Sequence, residues 1–438
     1  MELTGIRNTV FSDRYALKDE AGKSVETHPE EMWRRVAHSI ALAEDKANRD
    51  IWEERFYDAM RDFVLVPGGR ILSGAGTGYK VTYYNCFVIP SPKDSRGGIL
   101  ETLGNMVEIM ARGGGVGINL SSLRPRGARV NKVNGFSSGP INWAELFSVA
   151  TKDIIQQGGT RRGALMLMLW DWHPDIEEFI TVKQDLSKIN GANLSVCVSD
   201  KFMEAVKNDS DWDLVFPDKD DPDYDAKWDG YLPNWIALGK TPKVVKTIKA
   251  RALWDLVAKA AWASAEPGVV FMERYNKQFN NYYWEFVNCV NPCGEEGLPY
   301  WGVCNLTSIN LAALVGPNGS FDYERLAEVA RIGVRFQDDV VDVDTYVFEE
   351  IRKRQLLGER RIGLGTMGLG DALIKMKLRY GSPESLVVID KIYKTIRDSA
   401  YDMSADIAKE KGTFPKIDIE KHLKGYFVSQ LPDSIKKK

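Results

Sequence analysis

Hydrophobic spacing divides the chain into helical and strand-like stretches. Trp33, Val36, Ala37 and Ile40 recur at i, i+3, i+4 and i+7 behind Thr27-His28-Pro29-Glu30, which predicts an amphipathic helix opened by a proline. A second helix is predicted over about residues 48–63, with Ile51, Phe56 and Met60 inward. Residues 1–64 therefore read as a helical cap. From Val66 glycine becomes dense, and an apolar strand follows around residues 83–89. Ile99, Leu103, Met106, Val107 and Met110 mark a helix that stops at the run Arg112-Gly113-Gly114-Gly115, which no helix tolerates. Another helix is predicted over 140–157, ending in the turn Gly158-Gly159-Thr160-Arg161-Arg162-Gly163, with a strand at 165–170. Alternation of Leu194, Val196 and Val198 with Ser195, Cys197 and Ser199 predicts a half-buried strand. The Asp- and Pro-rich stretch 209–227 reads as a surface excursion. Beyond it come a helix over 250–265, a strand at 268–271, an irregular interval at 288–296 and a strand at 302–311. The rest is mostly helical, with a strand and turn at 361–370. Strands alternating with helices imply an α/β class.

Composition narrows the function classes. The 438 residues suit a few domains or one large α/β domain with extensions. With 44% hydrophobic and 27% charged residues, the chain reads as ordinary globular protein. A net charge of −3 carries no basic footprint for nucleic acid or an anionic membrane. No apolar run approaches the roughly 18 residues of a spanning helix, and the start lacks a signal-peptide core. The expectation is a cytoplasmic protein whose five cysteines are free thiols rather than a disulfide framework. Four scattered histidines argue against a histidine-rich metal site. Zinc on Cys289, Cys293 and Cys304 would lack a fourth ligand, so no metal is expected.

Three cysteines sit in settings suited to chemistry: Asn85-Cys86-Phe87, Asn291-Pro292-Cys293-Gly294-Glu295 and Val303-Cys304-Asn305. If the second segment is extended, Asn291, Cys293 and Glu295 share one face and present an amide, a thiol and a base to one ligand. A buried structural thiol is the bland alternative, and it is the one adopted for Cys197 and Cys289. The segment Gly363-Leu364-Gly365-Thr366-Met367-Gly368 matches a dinucleotide fingerprint. The charged run before it, Glu359-Arg360-Arg361, makes it a strand-to-helix turn instead. The glycine turns at 113–119 and 158–163, near Arg124, Arg126, Lys132, Arg161 and Arg162, suit close approach of a phosphate or nucleotide.

Taken together, these motifs resemble the catalytic subunit of ribonucleotide reductases, most closely the adenosylcobalamin-dependent class II branch. The resemblance runs from about Val66 to the end. It rests on the Asn291–Glu295 motif, on Cys304-Asn305-Leu306-Thr307-Ser308-Ile309-Asn310-Leu311, and on Asn85-Cys86-Phe87-Val88-Ile89-Pro90. Residues 112–120 and 157–164 and His173-Pro174-Asp175-Ile176 support it. It implies a ten-stranded α/β barrel over residues 65–438, with a central finger loop bearing Cys293. By that resemblance Cys293 becomes a thiyl radical and takes the 3′-hydrogen of a ribonucleotide. Glu295 takes the 3′-hydroxyl proton, Asn291 binds the sugar hydroxyls, and Cys86 protonates the leaving 2′-hydroxyl. Cys86 and Cys304 supply two electrons, and a thioredoxin-like dithiol reduces their disulfide. The resemblance places Ser73, Asn85 and Gly115 at the substrate. It places Asp94, Ser95, Arg124, Lys132 and Arg161 at a deoxynucleoside triphosphate effector. Helices over 99–111 and 143–155 would pack across the two-fold of a homodimer.

Two departures shape the expectation. The N-terminal segment is too short for the family's ATP-binding cone, so no overall ATP and dATP switch is expected. The match also stops near Leu431-Pro432-Asp433, where relatives continue, so the barrel is expected to be incomplete at its C-terminus and completed by a second polypeptide or after intein processing. The radical would come from adenosylcobalamin or, alternatively, from a metal-containing small subunit. A non-catalytic nucleotide-binding fragment that assembles with a second polypeptide is the competing reading. A dehydrogenase built on residues 363–368 is more remote, and a glycyl-radical reductase is disfavoured by Glu295.

Overall fold

The computed structural model describes residues 2–130, 134–154 and 163–438. Two compact units emerge, one from Met1–Asn85 and Val303–Lys438, the other from Cys86–Gly302.

In the first unit the predicted N-terminal helix forms as Pro29–Ala41. Glu31 Oε2 accepts the backbone N–H of His28 at 3.0 Å and of Thr27 at 2.5 Å, satisfying donors ahead of the first turn. Trp33, Val36, Ala37 and Ile40 are all buried, as their spacing predicts. The second helix runs Arg49–Met60, and its inner face differs from the expected one. Phe56 and Met60 are buried, but Ile51 is 53% exposed and Trp52 packs against the core instead. Trp52, Phe56 and Met60 fall at i, i+4 and i+8, a cleaner stripe than one begun at Ile51.

Both helices pack with the 21-residue helix Tyr323–Val343 over a small sheet. Its strand Val303–Asn310 pairs antiparallel with Leu65–Pro67 and parallel with Ile362–Met367. The fingerprint-like segment is thus not a turn throughout. Gly363 and Gly365 are strand residues, and only Gly368, at φ 73°, turns the chain into the helix Leu369–Lys375. No glycine-rich loop precedes that helix, which removes the geometry a pyrophosphate needs. A buried ion pair ties the layers together. Arg335, 3% exposed, grips Glu44, 2% exposed, through Nε–Oε1 at 2.6 Å and Nη2–Oε2 at 2.7 Å.

The second unit is a parallel sheet. Strands Cys86–Val88, Gly115–Asn119, Leu165–Trp170, Asn193–Cys197 and Gly268–Val270 lie side by side in chain order. Helices such as Arg96–Ala111 and Ala250–Ser264 form the crossovers. Two expectations fail here for one reason. Ser195 and Cys197 are as buried as their apolar neighbours, so that strand is not half-buried; an interior parallel strand has both faces covered. Similarly, the glycine run at 113–119 is mostly not a loop: residues Gly115–Asn119 are a fully buried strand, and only Gly113, at φ 99°, makes the turn. The polar excursion contains the strand Asp211–Phe216, paired antiparallel with Lys243–Lys249. Among the described residues no helix is long and apolar enough to cross a membrane.

Candidate active site

A hairpin in the second unit carries the cysteine motif. Its stems, Cys289–Val290 and Gly297–Leu298, pair antiparallel. The loop between them closes through Asn291 N–H to Glu296 O at 3.0 Å and Gly294 N–H to Asn291 O at 3.0 Å. Gly294 takes φ 80°, a conformation that a side chain would strain. Residues 291–295 are therefore a tight turn and not an extended segment, which corrects the shared-face argument. Cys293 and Glu295 lie exposed on this turn, whereas Asn291 is wholly buried.

Convergence arises all the same, by a different route. Asn291 Nδ2 donates to Cys86 Sγ at 3.1 Å, and its Oδ1 accepts the N–H of Glu296 at 2.9 Å. One buried amide thus closes the loop and holds a thiol from a strand 205 residues earlier in sequence. Cys86 Sγ in turn faces Glu295 Oε1 at 3.5 Å, with the thiol as donor. Burial pushes the Cys86 thiol well up from its ordinary value, and the carboxylates of Glu296 and Glu295 add to the effect. Cys86 is accordingly a neutral S–H, able to donate a proton. Gly115 pairs in register with Cys86 on the neighbouring strand, so two of the predicted positions are adjacent there.

The hairpin stem crosses the sheet closely. A Cβ on Gly117 would lie 2.0 Å from Val290 O and 3.2 Å from Cys289 Sγ, so only glycine fits. Asn119 Nδ2 donates to Asn288 O at 2.8 Å. Cys197 and Cys289 are fully buried, in keeping with structural roles, and burial raises both thiols.

In the first unit, Cys304 is buried at the start of its strand and its Sγ approaches Asn305 O at 3.3 Å. Asn85 N–H bonds Cys304 O at 3.3 Å, while Asn85 Oδ1 is buried without a hydrogen-bond partner among the described residues. Such an acceptor is available to a donor on a ligand. Ser73 is half-buried on the short helix Gly69–Gly74, its hydroxyl donating to Gly69 O at 2.8 Å.

Three of the predicted effector positions, Asp94, Ser95 and Arg124, are described in the second unit. Arg124 Nε meets Asp94 Oδ2 at 2.6 Å, and Arg124 N–H donates to Asp94 Oδ1 at 3.1 Å. Ser95 caps the helix Arg96–Ala111 by accepting Gly98 N–H at 3.1 Å. Tyr224, which no motif marked, donates its hydroxyl to Asp94 Oδ2 at 2.6 Å. Lys132 and Arg161, with most of the 158–163 turn, lie outside the described residues. Sequence reasoning also missed Glu296, although it directly follows the motif, and Gly117, whose role depends on a strand crossing far along the chain.

Comparison with known proteins identifies the family. A family model for the ribonucleotide reductase barrel domain matches residues 84–437, and one for the ribonucleotide reductase all-alpha domain matches residues 1–80. The chain is 34% identical to a vitamin B12-dependent ribonucleoside-diphosphate reductase of Thermoplasma acidophilum, covering 93% of this chain and 57% of that protein. It is 36% identical to the protein of that name in Mycobacterium tuberculosis, covering 93% and 55%. It is 28% identical to the ribonucleoside-diphosphate reductase large subunit of Caenorhabditis elegans, covering 91% and 51%. The chain thus spans about half the length of the curated relatives it matches. With an α/β sheet, a helical N-terminal region, and both family domains matched in order along the chain, this protein belongs to the ribonucleotide reductase large-subunit family.

Proposed function

We propose that this chain bears the radical cysteine and the acid–base groups of a ribonucleotide reductase, and converts ribonucleotides to 2′-deoxyribonucleotides with the help of a complementary polypeptide. The convergence of Cys86, Asn291 and Glu295 beside the exposed Cys293 turn carries this reading. A Cys293 thiyl radical would abstract the 3′-hydrogen while Glu295 takes the 3′-hydroxyl proton. The 2′-hydroxyl then leaves as water with a proton from Cys86, which burial keeps in the S–H form. The Cys86 and Cys304 thiols supply two electrons and the hydrogen that replaces the 2′-hydroxyl on C2′ as they close a disulfide; Glu295 returns its proton to the 3′-oxygen, and Cys293 returns its hydrogen to C3′. Asn291 is already engaged with Cys86, so sugar binding would use its amide in competition with that thiol.

Adenosylcobalamin, as in the vitamin B12-dependent relatives, would supply the initiating radical, and a metal-containing small subunit is the alternative source. Exposure of Cys293 at a loop tip fits delivery of a radical from outside the chain. A thioredoxin-like dithiol would reset the disulfide. Asp94, Ser95 and Arg124, with Lys132 and Arg161, form the proposed deoxynucleotide effector site of a homodimer. The Asp94 carboxylate is held by Arg124 and Tyr224, so an effector would exchange one of those bonds for its own.

The decisive experiment assays deoxynucleotide formation by the chain together with the polypeptide that supplies the rest of the family's length. Cys293→Ser is expected to abolish product, and Cys86→Ser or Cys304→Ser to stop repeated turnover. Normal turnover by Cys293→Ser would sink the assignment. Nucleotide binding with no reduction by the complete assembly would favour the non-catalytic reading.

A further inference from the structure

The turn that bears Cys293 is short and exposed, yet a radical transfer needs its sulfur at a fixed point. Hydrogen bonds within the turn fix its internal shape but not its height above the sheet. Besides the Cys86 thiol, which meets Asn291 and Glu295, two side chains from elsewhere in the second unit tie the turn down. Tyr275 Oη accepts Gly297 N–H at 2.7 Å at the far stem. Asn193 Nδ2 donates to Pro292 O at 2.8 Å, the carbonyl joined directly to the Cys293 nitrogen. Asn193 opens the strand Asn193–Cys197 and sits in register with Met166 of its neighbour. The next residue is pinned as well: Leu194 N–H donates to Glu266 Oε2 at 3.2 Å, and Glu266 pairs with Lys183 at 2.5 Å. The donor therefore projects from a rigid sheet end, and its acceptor is one bond away from the reactive residue.

We infer that Asn193 is a positioning residue that sets the Cys293 sulfur by anchoring the Pro292 carbonyl to the sheet. This rests on Cys293 being the radical site, but the anchor can be tested without turnover. A single neutral hydrogen bond changes a local opening equilibrium by about three- to tenfold. In Asn193→Ala, hydrogen exchange at the Gly294 and Glu296 amides is expected to rise by that factor, with exchange in the Leu165–Trp170 strand unchanged. Asn193→Asp, whose carboxylate cannot donate, should behave like Ala, and Asn193→Gln should recover part of the protection. In the complete enzyme the same variants should lower kcat with little change in KM. Exchange at both turn amides within twofold of wild type would overturn the inference. So would a rise shared equally with the Leu165–Trp170 strand, which would mean general loosening. Faster turn exchange in an enzyme that turns over without Cys293 would leave the anchor standing and remove the assignment on which its catalytic meaning depends.

Discussion

Cys293 is exposed, while Cys86, Cys197, Cys289 and Cys304 are buried. Alkylation by iodoacetamide of the native chain at neutral pH should therefore label Cys293 first and by a wide margin, as peptide mass spectrometry would report. Cys293→Ser should leave only slow labelling, and fast modification of Cys86 would contradict its buried, protonated state. His173 offers a second test. It is fully buried, accepting Asp175 N–H at Nδ1 at 3.1 Å, with Nε2 2.9 Å from Leu123 O. Burial lowers its pKa to about 4, so the folded state holds it neutral where the unfolded chain would protonate it. Its contribution is complete above the unfolded value near 6.5 and is lost as pH falls toward 4, by about 3 kcal/mol at most. Asp171 and Asp175, raised by burial to about 7 and about 6, carry the opposite slope over this range, so the test is a difference: the stability of wild type relative to His173→Gln should fall as pH drops from 6.5 toward 4, and a pH-independent difference would overturn the assignment.

Among the elements, the hairpin bearing Cys293 depends on a strand it merely crosses. Gly117→Ala would push a methyl against Val290 O, which is backbone and cannot rotate away. A loss of about 1–3 kcal/mol or more is expected, read as a lowered thermal midpoint, with faster exchange in the Cys289–Val290 stem. Sequence pattern could not have placed that glycine. It lies in a run that looked like a nucleotide loop, and the reason for it is a carbonyl more than 170 residues later. By contrast, the helix Pro29–Ala41 was readable from its apolar stripe and its proline, because both act within one element; the cap supplied by Glu31 was seen only in the structure. The Asn193–Cys197 strand was found but its burial misjudged, since the second covered face comes from neighbours that alternation along one strand does not report.

For the first unit as a body, the Arg335–Glu44 pair is the point where a single change should be felt most widely. Arg335 also pairs with Glu410, and Glu44 also faces Lys411 Nζ at 3.7 Å, so each keeps one opposite charge when the other is removed; Glu44→Gln or Arg335→Met should cost about 1–3 kcal/mol, seen in chemical denaturation.

Membership of the family could be read from the residue order, since the motifs that carry it are short and local: Asn291-Pro292-Cys293-Gly294-Glu295 stays together however the chain folds. Which groups touch Cys86 could not. The folded chain decided that Asn291 turns inward to hold the thiol, that the motif is a turn with Gly294 at positive φ, and that Asp94 answers to Tyr224 as well as Arg124. Asn193 entered only through the register of a parallel sheet. The physical reason is range: propensity, capping and periodicity act over a few residues, whereas a parallel sheet sets its contacts through crossovers of dozens of residues, whose register no local pattern encodes.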